Sequence, residues 1–205
     1  PADVSATNID NDTVGISVST ISRHTNENGQ TATFTVVLNT EPTHDVTITL
    51  SSSDTTESDL FGIKTLTFTP ANWATKQTVT VKGKDDAIVD GNVAYTILTS
   101  NASSSDPKYN DLVAADVAVI NDDNDTAGFI VTPITLTTTE AGGTATFTVV
   151  LTSKPGTDSD QTQVVVVDVA SNDLTEGIAD LSQLTFTNLN WNTPQTVTCL
   201  LYTFW

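Results

Sequence analysis

Asp116–Thr126 reads DVAVINDDNDT, and Asp3–Thr13 has already read DVSATNIDNDT. In the later copy an alternating strand runs into a knot of carboxylates and side-chain amides, after which a new strand begins, as at a junction between modules. The two DNDT runs lie 113 positions apart, and so do the two copies of TATFTVVL at Thr31–Leu38 and Thr144–Leu151. The chain is therefore a tandem repeat. A period near 113 suits one β-sandwich with its own core, and 205 residues accommodate two such domains.

Outward from TATFTVVL, the first repeat holds seven stretches, nearly all with apolar residues on one face and threonine on the other. The alternation predicts strands at 14–22, 31–39, 45–53, 63–69, 77–84, 93–100 and 115–121. No helix is expected. The inward sets are Ala32, Phe34, Val36 and Leu38; Val46, Ile48 and Leu50; Leu66 and Phe68; Val79 and Val81; and Val93, Tyr95 and Ile97. Together they furnish one sandwich core. Threonines such as Thr33, Thr35, Thr47 and Thr67 take the other face, where a β-branched side chain suits the pleat.

Three segments follow from the repeat. Residues 1–13 read as the last strand of a preceding repeat plus an acidic linker, and 14–125 as a complete sandwich. Residues 126–205 read as a second repeat lacking its last two strands. After Gln195–Thr198 the first repeat's VKGKDDAIVDGNVAYTI has no counterpart, and the chain runs CLLYTFW instead. The chain opens on Pro1 without initiator Met or signal peptide, so it is expected to be a piece of something longer. Trp73 recurs as Trp191 at the raised spacing of 118, which places extra residues near 155–163 in a surface loop. An indole recurring at a strand corner reads as a plug for the end of the core.

Seven basic residues against twenty-five acidic ones give a net charge of −18, which repels phosphate backbones and anionic membranes. Nucleic acid is not an expected partner, and no apolar run approaches the ~20 residues of a membrane helix. Cys199 is the one cysteine, so there is no internal disulfide. Catalysis finds little support: His24 and His44 fall at opposite ends of the sandwich, and no serine stands in a G-x-S-x-G setting. Gly142–Gly143 is a hairpin turn rather than a phosphate cradle.

Successive antiparallel strands reverse, so successive loops alternate between two poles. By that parity Glu27, Asp54, Glu57, Asp85, Asp86, Asp90, Asp122, Asp123 and Asp125 all fall at one pole of the first repeat. Nine carboxylates there repel one another unless protons, solvent or hard cations neutralise them. Calcium suits them best, since it accepts six to eight oxygens in loose geometry, amides such as Asn121 and Asn124 included. Zinc would want His or Cys, and magnesium a tighter octahedron.

The ordered set is an acidic residue before the second strand, an Asp after the third, DD after the fifth and ahead of an aromatic strand, and a closing V-x-V-x-N-D-D-N-D. This set resembles the Calx-beta domain, the calcium-binding immunoglobulin-like module of sodium/calcium exchangers and of large bacterial surface proteins. The resemblance covers residues 14–125 and about two thirds of a second copy. It implies a seven-strand Greek-key sandwich. It also implies Ca²⁺ ligation by Glu27, Asp54, Asp85, Asp86, Asp90, Asp122, Asp123 and Asp125, with Glu57 beside them. The family more often has glutamates where this chain shows Asp90, Asn92 and Val93. In the second repeat only Glu140, Asp173 and Glu176 correspond, which is half a cluster.

The leading expectation is a calcium-stabilised spacer or stalk in a long extracellular bacterial surface protein. Its partners are neighbouring repeats or identical subunits, and any cell-surface ligand is bound elsewhere in the parent. The alternative is a filament subunit, in which the spare first strand of one copy completes the last domain of the next. A calcium sensor for a transporter rests on analogy with the exchangers alone.

Overall fold

A computed structural model describes residues 3–134, 138, 142–157, 160 and 162–201. It is all-β, with no helix among those residues. The chain divides into two compact units, Pro1–Asp85 with Asn92–Asp122, and Asp86–Gly91 with Asp123–Trp205.

The first sandwich holds ten strands. One sheet runs β1 (Ile16–Val18), β3 (Thr31–Leu38), β7 (Gln77–Gly83), β5 (Ser58–Leu60). The other runs β2 (Thr25–Asn26), β10 (Val117–Asp122), β8 (Val93–Thr99), β4 (Val46–Ser52), β6 (Thr65–Phe68), with β9 (Ser103–Ser104) also on β4. Every pairing is antiparallel except β2 with β10. The expected inward residues are buried, save Val93, which is half-buried at the start of β8. Threonines oppose one another across the outer faces, Thr33 against Thr80, Thr35 against Thr78 and Thr47 against Thr67.

Ten strands stand where seven are expected: β2, β5 and β9 fall outside every expected stretch, and the expected first strand, 14–22, is shortened to β1. Regular pairing covers only Ile16–Val18, and the chain then crosses to the other sheet, where Thr25 pairs beside Asn121. The buried Thr25 hydroxyl explains the crossing. It donates to the Ile120 carbonyl at 3.2 Å and meets the Tyr95 hydroxyl at 3.1 Å, so a polar side chain is satisfied inside the core.

Among the described residues of the second unit lie six strands: β11 (Phe129–Thr132), β12 (Thr144–Leu151), β13 (Val164–Asp168), β14 (Gly177–Ala179), β15 (Gln183–Thr187) and β16 (Gln195–Leu201). The order β11-β12-β16-β14 repeats the first sheet, while β13 pairs with β15 alone. Trp73 and Trp191 each pack against the core of their own repeat, and their carbonyls accept from Leu38 N–H and Leu151 N–H. Val165 stands opposite Phe186, as Val46 stands opposite Phe68. The long loop therefore adds six residues, and one is lost again before β15. Among the described residues the core cluster of the first sandwich has eighteen buried members and that of the second five. Without counterparts of β8 and β10 among the described residues, the second core lacks the layer that Tyr95, Ile97, Val117 and Val119 supply in the first. Glu140 and residues 202–205 of CLLYTFW lie outside the described residues.

Candidate metal centre

Two very short strands place the two buried glutamates. Glu27 follows β2 directly, and its N–H donates to the Asp122 carbonyl at 3.2 Å. Glu57 precedes β5, and its carbonyl accepts from Lys84 N–H at 3.0 Å. Each glutamate is only 4 % exposed, which is unusual for a carboxylate held in a loop.

Of the nine sequence-expected acids, six form two groups of three. Glu27 with Asp123 and Asp125, and Glu57 with Asp86 and Asp90, offer ligand oxygens that lie within 4.8 Å of one another in each group. The residues beyond the glutamates come from the turn joining β7 to β8 and from the exit of β10. Both pieces are pinned locally. Asp86 Oδ1 accepts from Ile88 N–H at 2.6 Å, while Asp123 accepts from Asp125 N–H at 2.7 Å and from Gly91 N–H at 2.8 Å.

The other three expected acids are placed differently. Asp122 Oδ1 lies 2.9 Å from His24 Nδ1 and accepts from the Asn92 amide at 2.9 Å. Asp85 lines a shallow hollow with Glu27, Asp59, Lys82 and Lys84. Asp54 caps its own turn, accepting from the Thr56 N–H and hydroxyl, and the hydroxyl bond holds its carboxyl below the usual range. The second repeat builds the same turn: Asp173 accepts from Thr175 N–H at 2.9 Å and from its hydroxyl at 2.6 Å. A turn made the same way where only part of the acid set recurs gives Asp54 a structural task independent of any ion. Glu176 occupies the position of Glu57 and is exposed rather than buried.

The donor set suits a hard cation. Both groups consist wholly of carboxylate oxygens, without thiol or imidazole, which favours calcium over zinc. A buried amide stands against the second group as well. Asn121 is 1 % exposed, its Nδ2 donates to Glu57 Oε2 at 3.1 Å and to the Lys84 carbonyl at 3.0 Å, and its Oδ1 has no hydrogen-bond partner. The sequence treats Asn121 as one more possible ligand and does not anticipate its hold on Glu57. The available signal is its place: in β10 it continues the inward row of Val117 and Val119.

No family model matches the chain, and no curated protein matches it. Among solved structures, it is similar to the calcium binding domain CBD12 of CALX1.1, at 18 % identity and a TM-score of 0.39, covering 87 % of this chain and 72 % of that one. CBD12 from CALX1.2 is similar at 19 % identity, with the same TM-score and coverage. Both likenesses are distant and say nothing of individual site residues.

Proposed function

We propose that the first sandwich is a calcium-binding module whose ions stabilise one end of the fold. The observation that supports this is the burial of Glu27 and Glu57 within groups of carboxylates whose oxygens approach within 4.8 Å. At that separation each like-charged pair costs roughly 3 kcal/mol at an effective dielectric of about 20, and a dication reverses the sign. Within a tandem array this makes the module a stiffened spacer of a surface protein, not an enzyme. Millimolar extracellular calcium matches loose all-oxygen sites. Isothermal calorimetry of calcium into the chelator-treated chain tests the reading. Heat of binding that disappears in Glu27→Gln, Glu57→Gln supports it, and an absence of uptake at several millimolar calcium sinks it.

A second reading, assembly by strand complementation, is favoured by the open second unit. Val164 and Val166 of β13 are 54 % and 51 % exposed, and a cavity of about 270 Å³ opens between Phe147, Val169, Ile178 and Cys199. Residues 3–10 align with 116–123 at the 113 spacing, sharing Asp3, Val4, Asn8 and Asp10 with Asp116, Val117, Asn121 and Asp123, yet are exposed and form no strand. A strand from a second copy laid along β13 would cover those valines. Sedimentation of the full chain against one beginning at Val14 decides it. Polymers that require residues 1–13 support this reading, and monomers at high concentration remove it.

A further inference from the structure

The inward row of β10 runs Val117, Val119, Asn121: two core side chains and then an amide. Asn121 sits between Thr25 of β2 and Val93 of β8, at the point where the sheet reaches the acidic end. Its two acceptors, Glu57 Oε2 and the Lys84 carbonyl, decide which way the amide faces, because a flip would set its oxygen against two other oxygens. The oxygen is instead turned to Gly83. A methyl group at Gly83 would collide with Asn121 Oδ1 and with the Asn26 carbonyl, so glycine leaves the gap that the amide and β2 occupy.

We propose that Asn121 is a positioning residue for the cation site: from the last core position of β10 it holds the Glu57 carboxylate in place, and Gly83 is the gap that admits it. This rests on the calcium reading above. Glutamate has three rotatable bonds, and a buried hydrogen bond to one carboxylate oxygen removes much of that freedom before any ion arrives. The same amide ties down the Lys84 carbonyl, one residue before Asp85 and Asp86. One side chain thus fixes both Glu57 and the start of the turn that carries its companions Asp86 and Asp90. Groups that orient metal ligands in this way typically set affinity by about 10- to 100-fold.

Calcium titrations of the full chain, Asn121→Ala, Glu57→Gln and the double variant test it. Asn121→Ala is expected to weaken binding about tenfold or more in the parent chain and by less than about twofold once Glu57 is already Gln. Equal losses in both backgrounds mean a general structural effect and overturn the proposal, as does unchanged affinity in Asn121→Ala. A chain that takes up no calcium at all sinks the calcium reading itself. A second measurement needs no calcium and covers a failure of Asn121→Ala to fold. In chelator, Asn121→Asp sets carboxylate against carboxylate and lowers the melting temperature, and adding Glu57→Gln, whose amide can donate back, restores most of it. Absence of that rescue overturns the Asn121 to Glu57 contact whether or not an ion binds.

Discussion

The phenol of Tyr109 donates to the Thr40 carbonyl at 2.7 Å and accepts from the Thr40 N–H at 3.1 Å. Tyr109 is 1 % exposed and belongs to the first core cluster, so the irregular segment after β9 is stitched to the end of β3. Tyr109→Phe keeps the ring and strands the Thr40 backbone groups. It is expected to lower stability by about 1–3 kcal/mol in urea unfolding, leaving calcium affinity unchanged.

Calcium should raise the melting temperature of the first sandwich. At about 1 mM calcium and a dissociation constant of about 0.1 mM, linkage gives ~1.4 kcal/mol per ion. In a domain of this size that corresponds to roughly 5–10 °C per ion. Differential scanning calorimetry with and without EDTA checks the shift, and Glu27→Gln, Glu57→Gln should shrink it. Magnesium at the same concentration should give less, because it sheds water reluctantly.

Asp106 supplies a pH dependence. It is 3 % exposed, and hydrogen bonds from Thr43 N–H at 2.7 Å and Lys108 N–H at 2.9 Å hold its carboxyl below the usual range, Thr43 first. A folded-state value below the unfolded one stabilises above about pH 4 and loses that stabilisation as the pH falls through the folded value. Asp106→Asn should therefore destabilise the chain clearly at pH 7 and progressively less toward about pH 2. Urea midpoints across that range provide the check, and a constant difference would refute the assignment.

The two repeats should melt apart. Phe34 and Phe186 are buried at 1 % and 0 %, but among the described residues eighteen buried side chains make up the first core and five the second. Calorimetry is expected to show two transitions, the lower one from the second unit. Phe186→Ala should lower only that transition and Phe34→Ala only the higher one, each by about 3–5 kcal/mol.

The long strands were legible because period-2 alternation over seven or eight residues survives any context. TATFTVVL shows it, and β3 buries Ala32, Phe34, Val36 and Leu38 as the pattern demands. β2 and β5, of two and three residues, are too short for any period to show. Those strands position Glu27 and Glu57. The loop parity could collect nine acids at one pole, but it had no means of sorting them into Glu27 with Asp123 and Asp125, Glu57 with Asp86 and Asp90, an Asp122 shared by His24 and Asn92, and an Asp54 occupied with its own turn.

The sequence by itself determined the sandwich class and the core faces of the long strands, since period-2 alternation is written in residues near one another in the chain. Tertiary structure alone decided which carboxylates are buried, which meet, and that an asparagine in the core row of β10 reaches a glutamate 64 positions earlier. Such meetings depend on where the chain changes sheets, and that is governed by contacts between distant segments, such as the Thr25 hydroxyl with Tyr95, which leave no period in the sequence.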